Sequence, residues 1–272
     1  MYDYKWCVCD MDGTLLNSED MIAKEDETAL KRLQEGGMEV MIASGRLDLM
    51  VMRYIHQLNL QGHVISCNGG LIRNIKTGEI VYSNAMDKNI VGEMFAYVLE
   101  HKIDFFIYTP NVVFSNRENP RAARYEGIHR NLPKELSFEI RYLRTPDMSV
   151  FEGMEILKVL FILTTSEQVD YYIDKYSVFN ELEVVSSSPG LVDIMAAGSS
   201  KGRALKILAD RQGVDLKEVI AFGDNYNDID MLQCVGMPVA MENSVEELKA
   251  VAKFITKSND ECGVAHALKH CI

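Results

Sequence analysis

Apolar residues in this chain recur with two different periods, and the places where one period gives way to the other mark most element boundaries. Trp6-Cys-Val-Cys9, Glu39-Val-Met-Ile-Ala43 and His63-Val-Ile-Ser-Cys67 are short, nearly continuous apolar runs, which predicts strands buried on both faces. Between the first two, Ala23–Glu35 puts Leu30 and Leu33 on one side of a charged helix that Gly36-Gly37 ends, and Leu47–Leu58 reads as a second helix. This alternation predicts a parallel sheet with helices on both faces. Leu71-Ile-Arg73 and Glu79-Ile-Val-Tyr82 flank Lys76-Thr-Gly78 as a hairpin.

From Asn84 to Ser188 the texture changes. A helix over Ile90–His101 leads into paired β segments, Asp104–Tyr108 and Val112–Phe114, and then into a less regular charged stretch rich in Arg and Asn. A strand at Leu157–Leu163, a helix at Ser166–Val178 and a strand at Leu182–Val185 follow, with Ser186-Ser-Ser-Pro-Gly190 as a return linker. After Leu191 the strand–helix alternation resumes through Lys201–Arg211, Val219–Phe222, Asn227–Cys234 and Pro238–Ala240. The predicted fold class is α/β: a Rossmann-like parallel-sheet core over residues 1–83 and 190–272, with an α+β domain inserted over 84–189.

Composition narrows the function. With 47% hydrophobic and 25% charged residues among 272, the chain reads as a globular enzyme with no membrane-spanning run, and Met1–Asp10 shows no basic leader before an apolar stretch. A cytoplasmic location is the expectation. Of six cysteines, Cys7 and Cys9 share one face of a strand and lack partners at zinc-ligand spacing, so they are expected in the core. A net charge of −12, from 40 acidic and 28 basic residues, argues against a nucleic-acid face. It also repels any anionic substrate, so a phosphate-handling site needs a cation and positioned donors to reverse the field locally.

Four short signals meet that need, each where a strand ends or a helix begins, the edge at which open parallel sheets bind ligands. They are Asp10-Met-Asp12-Gly13-Thr14-Leu-Leu16, Ser44-Gly45-Arg46, Ser200-Lys201-Gly202 and Gly223-Asp224-Asn-Tyr-Asn227-Asp228. Singly, each has a plain reading: an Asx-turn at Asp12, an N-cap at Ser44, a first-turn lysine at Lys201, caps at Asp224 and Asp228. Together they supply phosphoryl chemistry. One carboxylate can attack phosphorus. Two carboxylates from separate strand ends, with a backbone carbonyl, make the hard oxygen site that Mg²⁺ prefers. Thr14, Ser44 and the amides around Gly13 and Gly45 can donate to phosphoryl oxygens, while Lys201 adds positive charge. Asp12, two residues past the nucleophile, is placed to protonate the leaving alcohol and then activate water.

These four motifs resemble those of the haloacid dehalogenase superfamily. Asn68-Gly69-Gly70, Val192-Asp-Ile194, Met241-Glu-Asn243 and Gly263-Val-Ala265 extend the likeness to its Cof-like sugar-phosphatase branch. The insert between the second and third motifs resembles a type IIB cap, an open-faced α/β lid. The resemblance implies Asp10 as nucleophile and Asp12 as general acid/base, the latter also lending its carbonyl to Mg²⁺. It further implies Asp224 as the second carboxylate ligand, Asp228 holding a metal-bound water with Asn227 nearby, and Ser44 and Lys201 on the phosphoryl group. Arg46, Asn68 and Gly69 are expected at the ester, and Asn116, Arg117, Arg121, Arg124 and His129 are candidate entrance residues. Ser44 stands where Thr is frequent, Glu242 where Gly is common and Cys262 where an acid is common. The implied substrate is a small phosphorylated metabolite, with no nucleic acid, membrane or obligate protein partner. A phosphotransferase or mutase using the same motifs, and a phosphate sensor without turnover, are the competing functions.

Overall fold

Four residues of strand β1 (Trp6–Cys9) organise the first of two compact units, because they send alternate side chains into two different cores. Cys7 and Cys9 pack with Leu30 and Leu33 of α1 (Lys24–Glu35), with Ile55 and Leu58 of α2 (Met52–Leu58), and with Ala267 and Leu268 of α9 (Gly263–Cys271). Trp6 and Val8 face the other way, onto Ala204, Leu205 and Leu208 of α6 (Lys201–Gln212) and Met231 and Leu232 of α7 (Ile229–Cys234). The computed structural model describes residues 3–116, 119–129, 133 and 137–272. Among them no helix is long and apolar enough to cross a membrane.

Around β1 the sheet contains β2 (Glu39–Ala43), β3 (His63–Ser66), β4 (Leu71–Asn74) and β5 (Ile80–Ser83) on one side. On the other lie β12 (Val219–Gly223), β13 (Met237–Ala240) and β14 (Phe254–Ile255), giving the order β14-β13-β12-β1-β2-β3-β4-β5. From β14 to β3 every neighbouring pair is parallel, and β4 turns back antiparallel to β3. The ends of β1, β2 and β12 therefore point the same way, which is what allows distant motifs to meet.

The two units divide at Met1–Tyr82 with Ser200–Ile272, and Ser83–Ser199. The second has its own sheet, ordered β10-β11-β9-β6-β7-β8, from β6 (Asp104–Tyr108), β7 (Val113–Asn116), β8 (Ile140–Leu143), β9 (Lys158–Ile162), β10 (Leu182–Ser188) and β11 (Leu191–Ala196). Helices α3 (Lys88–Glu100) and α5 (Ser166–Ser177) cover one face, packing Phe95, Val98, Tyr172 and Tyr176 against Phe105, Ile107, Val159 and Phe161.

Sequence and structure part in four places. The return to the core comes at Ser200, not at 190: β10 runs on through the serines and turns at Pro189-Gly190 into antiparallel β11, so Val192-Asp-Ile194 belongs to the second sheet. A Pro-Gly linker and a two-residue hairpin turn carry the same local signal, and Gly190 at φ 78° serves the hairpin. The charged stretch after β7 contains a helix, α4 (Pro120–His129), whose first backbone donors are met by Asn119: its Oδ1 accepts from Arg121 N at 2.9 Å. The helices expected from Leu47 and Asn227 open as 3₁₀ turns, at Asp48–Val51 and Tyr226–Asp228. Of the entrance candidates, Asn116 ties β6 to β7 through Asp104 Oδ1 at 2.5 Å, Arg121 lies over the Tyr125 ring and Arg124 sits on α4. Arg117 and the His129 side chain lie outside the described residues.

Asp26 of α1 is buried in the first unit and accepts the Ala265 N–H of α9 at 2.7 Å, while its other oxygen has no partner. Burial pushes its carboxyl from 3.8 up to about 6, partly offset by that backbone bond. Because the folded value lies above the unfolded one, the stability this group contributes is full below pH 4 and is lost as pH rises through 6, up to about 3 kcal/mol. Asp26→Asn keeps an acceptor and stays neutral. It is expected to raise stability relative to wild type by about 2 kcal/mol at pH 8 and by almost nothing at pH 4, read from paired urea unfolding curves.

Candidate active site

Three carboxylates converge where β1 and β12 end. Asp10 follows β1, held by its N–H to Phe222 O at 3.0 Å, and Asp224 and Asp228 follow β12. One oxygen from each lies within 4.8 Å of the others. Lys201, the first residue of α6 behind its Ser200 cap, reaches into the group from beneath. Its Nζ donates to Asp10 Oδ1 at 2.5 Å and to Asp228 Oδ1 at 2.6 Å, and both Lys201 and Asp228 are wholly buried. Asp228 also accepts the N–H groups of Asp224 and Asn225 on Oδ2, at 3.0 and 3.1 Å, so it braces the β12 loop. Thr14 donates to Asp224 Oδ1 at 2.8 Å.

The electrostatics follow from burial. Desolvation pushes the Asp10 carboxyl well up; Lys201 opposes this, and the charges of Asp228 and Asp224 add to it. Burial and Asp228 raise Asp224 to about 6. Burial alone would lower the Lys201 ammonium, but Asp10 and Asp228 more than offset it and hold it above its ordinary value. One lysine thus leaves negative charge uncompensated among hard oxygen donors, a donor set suited to Mg²⁺.

The second motif forms a neighbouring wall. Ser44 N donates to Ile65 O at 2.9 Å, Asn68 N to Ser44 O at 3.0 Å and Cys67 N to Arg46 O at 3.0 Å, which locks the Ser44-Gly45-Arg46 turn to the Cys67-Asn68-Gly69 turn. Cys67 and Asn68 both take left-handed backbone. Gly69, at φ 88°, lies so close to the Ser200 carbonyl that no side chain fits. Asn227 Nδ2 donates to Asn68 Oδ1 at 3.0 Å, whereas Asn68 Nδ2 is buried without a partner. Ser44 Oγ accepts from Arg46 N at 3.1 Å.

Asp12 stands apart from the cluster. Its carboxylate, 54% exposed, forms a bidentate pair with Arg46, whose Nε donates at 2.8 Å and whose Nη2 also reaches it. Arg46 is buttressed in turn by Asp20 at 3.1 Å, and Asp20 by Arg53 at 2.8 Å and by Tyr54, whose hydroxyl donates to the Asp20 carbonyl at 2.8 Å. Sequence reading does not find Asp20, Arg53 and Tyr54, because nothing local marks them. Asn243 Nδ2, in a segment already singled out, donates to Gly13 O at 2.8 Å and ties down the loop after β1.

A parallel sheet presenting a lysine-anchored carboxylate cluster at its strand ends defines a phosphate-handling hydrolase of the α/β class. The chain belongs to the haloacid dehalogenase-like hydrolases, in their Cof-like branch: the family's sequence profile matches residues 7–268. It is 33% identical over 279 residues to 5-amino-6-(5-phospho-D-ribitylamino)uracil phosphatase YwtE of Bacillus subtilis, covering 96% of each chain. It superposes on a haloacid dehalogenase-like hydrolase from Bacteroides thetaiotaomicron with a TM-score of 0.86 at 28% identity, covering 99% of this chain and 100% of that one. The fold also matches the subclass IIB sugar phosphatase BT4131, with a TM-score of 0.78 at 23% identity over 98% of each chain. The protein is a phosphatase of this superfamily.

Proposed function

We propose that the protein is a Mg²⁺-dependent phosphatase acting on small phosphorylated metabolites, sugar phosphates or close relatives, through an aspartyl-phosphate on Asp10. The observation that carries this reading is the buried cluster of Asp10, Asp224 and Asp228 around a single lysine. Asp10, Asp224 and the Asp12 carbonyl would hold Mg²⁺, with Asp228 positioning a water. When bound, the ion neutralises the cluster and draws charge from the phosphoryl oxygens.

Lys201 fixes the rotamer of Asp10, so that a carboxylate oxygen attacks phosphorus as the P–O bond to the alcohol breaks. Asp12 gives its proton to the departing oxygen. It then takes one from the water that attacks the aspartyl-phosphate, releasing inorganic phosphate and restoring Asp10. For Asp12 to do this its pair with Arg46 must open and the carboxylate must first take up a proton from solvent, which frees the guanidinium to donate to the ester's oxygens. Ser44 and the unpartnered Asn68 amide add donors beside it.

The substrate class draws support from the phosphorylated ribityl compound in the relative's name. A panel of phosphorylated metabolites assayed with Mg²⁺ tests the proposal. Free phosphate is expected from at least one ester and is expected to cease with EDTA; an acid-quenched digest should carry one phosphoryl group on the Asp10 peptide. Inertness toward every ester, or phosphoryl transfer to an alcohol with no phosphate released, would overturn it.

A further inference from the structure

Helix α9 carries two histidines one turn apart, His266 and His270, whose ring centroids lie 4.5 Å from each other with their planes 36° apart. Hydrogen bonds fix the tautomer of each. Thr256 has one hydroxyl proton and donates it to Gly263 O at 2.6 Å, so its oxygen must accept from His266 Nδ1, 3.1 Å away. His270 Nδ1 lies 2.7 Å from the His266 carbonyl, which can only accept. Both Nδ1 atoms therefore carry a proton, which leaves Nε2 as the nitrogen of each ring that can ligate. A metal-ligating imidazole is anchored in this way, with one N–H held by an oxygen and the other nitrogen open.

We propose that His266 and His270 form a two-point binding site for a borderline divalent transition metal such as Zn²⁺. The site shares no residue with the acidic cluster and differs from it in chemistry, since imidazole nitrogen selects zinc, nickel or copper, whereas hard carboxylate oxygens select magnesium. Phe254 stacks along both rings, at 6.2 and 6.1 Å with planes within 26° and 20°, and so limits their rotation. His270 is exposed and His266 half-buried, which leaves solvent access for the ion and for the waters that complete its shell. Burial, His270, Lys257 and Lys269 all hold the His266 imidazole below its ordinary range, which weakens proton competition at that nitrogen. Packing against Phe254 alone would need neither Nδ1 to be anchored.

The test is calorimetric titration of the full chain with Zn²⁺ at pH 7.5 in excess Mg²⁺. One equivalent is expected to bind, about tenfold or more weakly in His270→Gln and likewise in His266→Gln, and with unchanged affinity in Cys271→Ser. His270 is exposed, so its variant is expected to fold, which circular dichroism checks. Absence of binding to wild type, equal binding to His270→Gln, or loss in Cys271→Ser would each overturn the proposal.

Discussion

Asp10→Asn is expected to lower kcat by about 10⁴-fold or more while leaving the fold intact. The amide is nearly the same shape and still offers an oxygen to Lys201, so the 2.5 Å contact has a replacement. What it loses is the negative charge that attacks phosphorus. Stability is expected to hold or rise without Mg²⁺, because the Asp10 carboxyl is pushed well up by burial and by its acidic neighbours, and its ionisation opposes folding. The two readouts therefore move independently: phosphate release disappears while the thermal transition stays. Acid-quenched variant should carry no phosphoryl group on that peptide. Residual turnover above about one per cent would remove Asp10 as the nucleophile, since amides do not replace anionic nucleophiles at that level.

What sequence reveals here depends on how local the cause is. Strand β1 is legible because Trp6, Cys7, Val8 and Cys9 are all buried and leave no polar position to break the run. The acidic cluster is legible because each motif is contiguous and sits at a strand end or helix start, and parallel order then brings Asp10 and Asp224 to one edge. The support of Asp12 is not legible, because Arg46 meets Asp20, and Asp20 meets Arg53 and Tyr54, only after β2, α2 and the loop after β1 are assembled. Nor does the string Ser186–Gly190 distinguish a linker from a hairpin: pairing of Val184 with Ile194 decides it, and pairing is a tertiary event. The tautomer at His266 is hidden for the same reason, as Thr256 lies on another segment.

Lys201→Met is expected to cause the largest loss of stability, about 3–5 kcal/mol in Mg²⁺-free buffer near pH 8. The lysine is wholly buried and bridges Asp10 and Asp228; methionine fills much of the volume but leaves two buried carboxylates facing each other with no cation. For a chain of this size the loss corresponds to a fall in Tm of about 10 °C. The deficit should shrink toward pH 5. Asp224 already takes its proton at about 6 and Asp10 is pushed up, and groups with raised values contribute their stability on the acid side and lose it as pH rises. Added Mg²⁺ is expected to restore part of the Tm, because a cation again offsets the acids, while kcat stays down by about 10²–10³-fold for want of the positive charge beside the phosphoryl group. A Tm that does not change would show that the lysine is not paired with these acids in solution. A Tm that falls equally at pH 5 and pH 8 would assign the loss to packing, since a cavity has no charge to titrate.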